Sequence, residues 1–206
     1  MQGVVFIDDA LIIFNKPAGL PSVPGKPLAL HDCATSRIQN IWPDALVVHR
    51  LDMATSGLLL FARGLAIQRD LSRAFERREV GKTYIAVVHG LVAPTLTEID
   101  LPLAADWPNR PRQRVDTQLG KPALTHVSIV AHDHAAAQTR VLLQPTTGRS
   151  HQLRVHLAAL AHPIVGDTLY GAPNLAAGRL LLHASALELN HPKSGERVLF
   201  SSEPPF

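Results

Sequence analysis

Two clusters of polar residues, far apart in the chain, hold the side chains best suited to chemistry. The first is segment 50–56, which places Asp52 beside Arg50 between two apolar stretches. A carboxylate close to a protein core is destabilising unless it is paired or used. Spacing alone favours neither interpretation, because an Asp followed at the third position by Thr is also good turn chemistry. Asp52 is therefore either a structural turn residue or a catalytic carboxylate.

The second cluster opens a predicted helix at residues 150–161. It contains Arg149, His151 and Arg154 in the string Thr-Gly-Arg-Ser-His-Gln-Leu-Arg-Val-His. Arg154 adjoins an apolar stripe formed by Leu153, Leu157 and Leu160. We expect Arg154 to point partly inward, where a guanidinium needs a carboxylate partner. Asp52 is the expected partner, in direct contact with Arg154.

Other catalytic and metal-binding motifs fit poorly. The string His-Arg-Leu-Asp at residues 49–52 differs by one position from a kinase catalytic loop, and no glycine-rich phosphate loop or Asp-Phe-Gly follows. His151 and His156 are five residues apart, whereas two metal ligands on one helix face are four apart. His132 and His134 lie in a predicted polar turn, and no Gly-x-Ser-x-Gly elbow is present. We therefore expect no metal site and no serine-hydrolase site.

The composition is that of a folded protein that could bind a polyanion. Of the 206 residues, 46% are hydrophobic and 18% are charged, and the net charge is +3. The single cysteine excludes an intrachain disulfide framework. No apolar run approaches the roughly 18 residues of a membrane span, and no basic leader opens the chain. We expect a cytoplasmic protein with no membrane partner, for which nucleic acid is permitted but not required.

The elements that must position these residues are mostly strands. Apolar patterns predict strands at 4–7, 11–15, 46–49, 57–62, 83–89, 124–131, 139–144 and 180–189, and helices at 34–42, 65–79 and 150–161. The second helix carries one apolar face, formed by Ile67, Leu71, Ala74 and Phe75, and one basic stripe, formed by Arg69, Arg73 and Arg77. A solvated surface is favoured over RNA contact for that stripe. Strands outnumber helices without regular alternation, so the fold class is α+β.

Four motifs, in order, resemble those of the RluA-type pseudouridine synthases. The string His-Arg-Leu-Asp-Met-Ala-Thr-Ser-Gly at residues 49–57 is similar to the catalytic motif of that family. Residues 148–156, with His-Pro-Ile at 162–164 and Gly-Asp at 166–167, resemble its second signature. Residues 82–84 resemble its Lys-x-Tyr motif, and residues 15–20 its opening motif. Segments 106–111 and 120–123 are similar to segments found in a subgroup of shorter family members, which modify both transfer RNA and large-subunit ribosomal RNA.

The resemblance implies an architecture and an activity. The architecture is a mixed, largely antiparallel central sheet with flanking helices and RNA-binding loops, in one catalytic domain over residues 1–206. That domain would have two sub-lobes around a central cleft and no N-terminal S4-like domain. The activity is isomerisation of specific uridines to pseudouridine in transfer RNA, 23S ribosomal RNA or both, by base flipping and Asp-dependent glycosidic cleavage and rejoining. The partner would be an RNA stem-loop, of the transfer RNA anticodon arm or of 23S ribosomal RNA, bound by a monomer without metal or cofactor.

The family's roles transfer to named residues. Asp52 would act as nucleophile or base at the target ribose, with Arg154 as its ion-pair partner. Tyr84 would stack on the flipped uracil, and Arg50 would fill the space that the base leaves. Without the resemblance, Tyr84 would be a core tyrosine with a bonded hydroxyl group, and Arg50 an ordinary surface arginine. The expected RNA-binding side chains are Arg50, Arg110, Arg112, Arg114, Lys121, Arg149 and His151.

Three classes of function stay open at this point. The first is an RNA-modifying isomerase, and the second is a catalytically silent RNA-binding module on the same fold. The intact set of Asp52, Tyr84 and Arg154 argues against the silent module. The third is a hydrolase that uses Asp52 with a histidine, which would release free base.

Overall fold

The structure is a computed structural model that describes residues 2–171 and 178–206. The strands are β1 Val4–Ile7, β2 Leu11–Lys16, β3 Ala45–Val47, β4 Ser56–Arg63, β5 Gly81–His89, β6 Glu98–Asp100, β7 Leu103–Ala105, β8 Gln113–Val115, β9 Leu124–Asp133, β10 Gln138–Pro145, β11 Leu182–Asn190 and β12 Arg197–Ser201. The helices are α1 Ala34–Gln39, α2 Leu65–Glu76 and α3 Gln152–Ala159, and two short 3₁₀ helices span Leu28–Leu30 and Trp107–Asn109. The chain divides into two compact units, Met1–Gly81 with Ala184–Pro205, and Lys82–His183 with Phe206.

Every helix and strand predicted from the sequence is present, and the α+β class is confirmed. Four strands were not predicted: β6, β7, β8 and β12. The first three contain only three residues each, too few to show an alternating pattern. The prediction that residues 180–189 form the last strand was wrong, because β12 follows and pairs antiparallel with β11. Its five residues are all partly or fully exposed, so they carry no buried apolar run.

The first unit contains a sheet with the strand order β1-β2-β4-β11, and β3 and β12 pair with β4 and β11. Seven of the eight residues of β4 are buried, as its apolar sequence predicted for a central strand. Helix α2 packs its apolar face against this sheet, with Leu71 buried and Ile67 and Phe75 partly buried. The predicted amphipathic helix is thus confirmed. Its basic stripe lies on the exposed side of the helix.

The second unit contains a sheet with the strand order β5-β10-β9-β6 and a separate antiparallel ribbon of β7 and β8. Helix α3 lies against this ribbon, where Val155 packs with Leu103 and Ala123. The predicted stripe on α3 was too narrow, because all six residues from Gln152 to Leu157 are buried whereas Leu160 is 37% exposed. The polar residues of this helix tolerate burial because they have hydrogen-bond partners within the unit. No helix in the described part of the chain is long and apolar enough to cross a membrane.

Candidate active site

Asp52 lies half-buried in the loop that joins β3 to β4. The preceding residue, Leu51, is fixed by the Ser22 hydroxyl group, which donates to the Leu51 carbonyl at 2.7 Å and accepts from its N–H at 3.0 Å. On the other side, the Asp52 carbonyl accepts from the N–H of Thr55 at 3.0 Å, which closes a turn. The turn predicted at Asp52 is therefore present. It also holds the carboxylate on a restrained backbone.

A buried lysine fixes the residue that follows Asp52. Lys16 is fully buried, and its ammonium group donates to the carbonyl oxygens of Pro17 at 3.0 Å, Leu20 at 2.8 Å and Met53 at 3.2 Å. The N–H of Gly19 donates to the same Met53 carbonyl at 2.8 Å. An ammonium group carries three donors, and these three carbonyls can accept all of them. The opening motif thus supports the Asp52 loop, a role that was not predicted for it.

The two ends of this loop are fixed by packing. At the start, the His49 ring stacks on Phe75 with centroids 4.8 Å apart, and its Nε2 accepts from the N–H of Leu60 at 3.1 Å. At the end, Gly57 has a φ of 115°, and a Cβ atom there would lie 2.3 Å from the carbonyl oxygen of Ala184. Only glycine permits this conformation and this close approach of β4 to β11. His49 and Gly57 therefore hold the two ends of the Asp52 loop in place.

Two further predicted site residues have defined positions within their own units. Arg50 is exposed at the start of the Asp52 loop, on the first unit. Tyr84 lies half-buried in β5 of the second unit, opposite Leu143 of β10. Their proposed contacts with RNA stay predictions.

Arg154 of α3 forms a bidentate ion pair with Asp167. Its Nε and Nη2 atoms each lie 2.8 Å from a carboxylate oxygen, and both side chains are almost fully buried. The N–H groups of Leu169 and Tyr170 also donate to Asp167. Burial alone would raise the pKa of the Asp167 carboxyl group, but these hydrogen bonds and the Arg154 charge hold that pKa below its usual value.

Arg154 is buried and paired, as predicted, but its observed partner is Asp167. The inward position of Arg154 and its need for a carboxylate were predicted, and both are confirmed. Asp167 was not predicted as the partner, although it belongs to the second signature. The position of Asp167 between Gly166 and a turn could have indicated this role. The expected contact of Arg154 with Asp52 stays a prediction.

Tyr170 links α3 to the β7–β8 ribbon. Its hydroxyl group accepts from the N–H of Gln113 in β8 at 2.8 Å and lies 2.7 Å from Nδ1 of His151. The guanidinium groups of Arg112 and Arg154 lie 5.3 and 5.2 Å from the centre of its ring. Tyr170 was not predicted as a site residue. It connects a candidate RNA-binding residue, His151, with the ion pair behind it.

A buried polar chain runs through the same helix. The Gln152 side-chain amide donates to the Thr125 hydroxyl group at 3.0 Å, which lies 3.0 Å from Nδ1 of His156, and Nε2 of His156 lies 3.0 Å from the Leu101 carbonyl. A carbonyl only accepts, so the partners place the His156 proton on Nε2. Burial lowers the pKa of His156, which favours this neutral form. His156 is therefore structural, and among the described residues no cluster of His, Cys, Asp or Glu could hold a metal ion.

Most of the predicted RNA-binding cations gather on one feature, the β7–β8 ribbon and its neighbouring segment. Arg110 lies in the loop of the ribbon, Arg112 ends that loop, and Arg114 pairs with Asp116 at 2.9 Å. Lys121 pairs through its backbone with Leu103 at the base of the ribbon. In addition, Arg149 donates to the carbonyl of Pro122, beside Lys121, at 3.1 Å. The structure thus brings these cations together within one unit, on exposed or partly exposed positions.

Comparison with known proteins identifies the family. A sequence model described as RNA pseudouridylate synthase matches residues 10–159. The dual-specificity RNA pseudouridine synthase RluA of Escherichia coli is 48% identical over 206 residues, covering 98% of this chain and 93% of that protein. The chain belongs to the RNA pseudouridine synthase family. The RluA protein of Yersinia pestis is 47% identical over 205 residues, covering 98% of this chain and 99% of that protein.

A solved structure of the same family supports the fold. Human RNA Pseudouridylate Synthase Domain Containing 1 matches with a TM-score of 0.82 at 29% identity, covering 99% of this chain and 84% of that one. The resemblance that the motifs predicted and the pseudouridine synthase fold are therefore confirmed. The family is one of isomerases that modify RNA, and the predicted enzyme class is confirmed as well.

Proposed function

We propose that this RNA pseudouridine synthase acts on structured transfer RNA, 23S ribosomal RNA or both, with Asp52 as its catalytic carboxylate. The observation that carries the proposal is the restrained position of Asp52, whose two neighbours are each held by buried side chains, Ser22 and Lys16. Catalysis needs a reacting group that is already oriented, and such a backbone supplies it. The dual-specificity names of the similar proteins support two RNA substrates.

The isomerisation determines what the residues must do. The bond between N1 of uracil and C1′ of ribose breaks, the base rotates, and a bond from C5 to C1′ forms. The hydrogen on C5 is lost and N1 regains one, so no electrons are gained or lost overall and no co-substrate is consumed. Asp52 would act on the ribose either as nucleophile at C1′ or as base. Tyr84 would stack on the detached base and is a candidate for the proton transfer.

Two arginines have supporting roles in the proposal. Arg154, already fixed by Asp167, would form an ion pair with the Asp52 carboxylate. Arg50 would occupy the space left by the flipped uridine, because extrusion costs a few kcal/mol and a planar guanidinium can restack there. We propose that the two units are sub-lobes of one catalytic domain, which works as a cytoplasmic monomer.

RNA binding in this proposal depends on the cations of the ribbon. Arg110, Arg112, Arg114 and Lys121 would contact phosphates, and Arg149 and His151 would lie closer to the target nucleotide. Arginine suits this task because its guanidinium can donate two parallel hydrogen bonds to a phosphate.

An assay of purified protein on unmodified transcripts tests the proposal. Transfer RNA transcripts and fragments of 23S ribosomal RNA are incubated with the protein, and pseudouridine is located by carbodiimide labelling and primer extension. We expect pseudouridine at defined positions of at least one of the two RNA classes. Release of free uracil would instead support the hydrolase alternative. Binding without any product would support the silent RNA-binding module.

A further inference from the structure

The loop of the β7–β8 ribbon exposes a tryptophan. Trp107 lies in the 3₁₀ helix of this loop and is 66% exposed, although tryptophan is highly buried on average. The guanidinium carbon of Arg110 lies 3.8 Å from the centre of its ring. An exposed indole beside a cation is more typical of a recognition surface than of an incompletely buried core.

The exposure does not come from a loosely held loop. The N–H of Asp106 donates to the Arg112 carbonyl, and the N–H of Arg112 donates to the Asn109 carbonyl, both at 3.0 Å. The side chain of Asn109 donates to the Asp106 carboxylate at 3.0 Å. These bonds close the loop at both ends and across its middle. The indole is therefore presented on an ordered turn.

The ribbon is fixed to the rest of its unit both beside the loop and at its base. The N–H of Gln113 donates to the Tyr170 hydroxyl group at 2.8 Å, and Leu103 packs against Val155 of α3. The position of the indole is thus tied to the helix that carries Arg154 and His151. A nucleotide held on Trp107 would have a defined distance from these residues.

The charge around the indole indicates an anionic partner. Arg110 lies in the loop and Arg112 ends it, whereas the acidic residue of the loop, Asp106, accepts a hydrogen bond from Asn109. Nucleic acids supply both a negative backbone and flat bases that stack on aromatic rings. An apolar protein partner would match the indole but not the two arginines.

We propose that Trp107 is a stacking platform for an unpaired base of the substrate RNA, a base other than the target uridine. The base would lie on one face of the indole while Arg110 covers the opposite face, so that guanidinium, indole and base form one stack. This inference rests on the proposed RNA substrate. It assigns Trp107 to substrate binding and not to the reacting atoms.

Fluorescence can test the platform, because the chain contains only two tryptophans. The Trp42→Phe variant leaves Trp107 as the sole indole, and the Trp107→Phe variant leaves Trp42. Titration with the substrate stem-loop should quench the first protein strongly and leave the second almost unchanged. Trp107→Ala should weaken RNA binding about tenfold, which corresponds to about 1.4 kcal/mol and is typical of the loss of one base–aromatic stack. The turnover number at saturating RNA should stay within about twofold of wild type, and unchanged thermal unfolding would show an intact fold.

Abasic substrates identify the base that stacks. Unpaired positions of the stem-loop are replaced one at a time by an abasic nucleotide, and dissociation constants are compared for the wild type and Trp107→Ala. At one position, other than the target, removal of the base should abolish the difference between the two proteins. A wild-type enzyme that forms pseudouridine while Trp107→Ala binds RNA normally would overturn the platform alone. An equal difference in dissociation constant between the two proteins on every abasic substrate would also overturn the platform alone. A wild-type protein that binds no RNA would overturn both the platform and the proposed function.

Discussion

The Ser22 hydroxyl group hydrogen-bonds to both backbone polar groups of Leu51, donating to its carbonyl at 2.7 Å and accepting from its N–H at 3.0 Å. Ser22 is itself anchored, because its carbonyl accepts from the hydroxyl group of Thr35 at 2.8 Å in α1. The backbone next to Asp52 is thus tied to a helix through a single buried serine. The proline-rich segment that carries Ser22 therefore supports the proposed catalytic loop.

We expect Ser22→Ala to slow catalysis more than it weakens RNA binding. The substitution leaves two buried backbone groups without their hydroxyl partner, which costs about 1–3 kcal/mol for each unsatisfied group. Because the loop with Asp52 would lose its restraint, the turnover number should fall while the dissociation constant for RNA stays the same. Single-turnover kinetics and equilibrium binding separate the two effects.

Thr139→Val is the matched control for Ser22→Ala. The Thr139 hydroxyl group also joins one carbonyl and one N–H, those of Gly90 at 2.8 Å and Val92 at 3.0 Å, but it lies in β10 of the other unit. Both variants should lose stability in thermal unfolding. Equal losses of turnover in the two variants would show that Ser22 contributes stability and no positioning.

Removal of the Asp167 charge should destabilise the second unit strongly. In Asp167→Asn the buried guanidinium of Arg154 loses the negative charge of its bidentate partner, and breaking a buried pair costs about 3–5 kcal/mol. Asp44→Asn is the control, since Asp44 pairs with Arg63 through two similar bonds on the surface. Exposed pairs contribute at most about 1 kcal/mol. Similar losses for the two variants in urea unfolding would contradict the structural role of the buried pair.

The same ion pair predicts a pH dependence of stability. The pKa of Asp167 is lowered in the folded state from its ordinary value of 3.8, so the unfolded state takes up the proton at a higher pH than the folded state. Its contribution to stability is therefore fully present above about pH 5 and is lost as the pH falls through the folded-state pKa. The difference in unfolding free energy between wild type and Asp167→Asn should be constant above that pH and shrink in acid. A difference that grows in acid would contradict this sign.

The sequence predicted the secondary structure well where burial follows a simple period. Strand β4 and helix α2 have continuous or one-sided apolar patterns, and both lie where they were predicted. Helix α3 was harder, because its burial includes Gln152 and His156, whose shared partner Thr125 lies 27 and 31 residues away in the sequence. A periodic pattern of apolar residues predicts which face of an element is buried. It does not predict polar partners that are distant in the sequence.

The motifs predicted the candidate site residues. They did not predict the residues that hold those site residues in place. Asp52 and Arg154 stood out because a charge sat beside apolar residues. Ser22, Lys16 and Tyr170 act through hydrogen bonds to backbone atoms or to distant side chains. Such contacts produce no periodic pattern in the sequence. Such contacts appear only when the fold brings separate segments together.

Neutralising the ribbon arginines should reduce the salt dependence of RNA binding. Each phosphate contact contributes a slope of about 0.7 in log affinity against log salt for single strands. The triple variant of Arg110, Arg112 and Arg114 to Gln should therefore give a flatter slope. The matched control replaces Arg69, Arg73 and Arg77 on α2 by Gln and should keep the wild-type slope. A flatter slope in the α2 variant alone would place the RNA on the other basic surface.

Arg50→Ala should weaken base extrusion and leave Asp52 intact. The defect in turnover should be large on a stem-loop whose target uridine is paired or stacked. It should shrink on a substrate whose target is already unpaired, because the extrusion cost of a few kcal/mol is then partly removed. Single-turnover rates on the two substrates measure this difference. Equal defects on both substrates would contradict a role for Arg50 in filling the vacated stack.

The most direct test of the proposed chemistry is single-turnover pseudouridine formation by Asp52→Asn. Asparagine keeps the shape of the side chain and its hydrogen bonding but removes the negative charge that the reaction needs. We predict that this variant binds RNA with the wild-type dissociation constant and forms no detectable pseudouridine. Wild-type rates of pseudouridine formation by Asp52→Asn would contradict the assignment of Asp52 as the catalytic carboxylate.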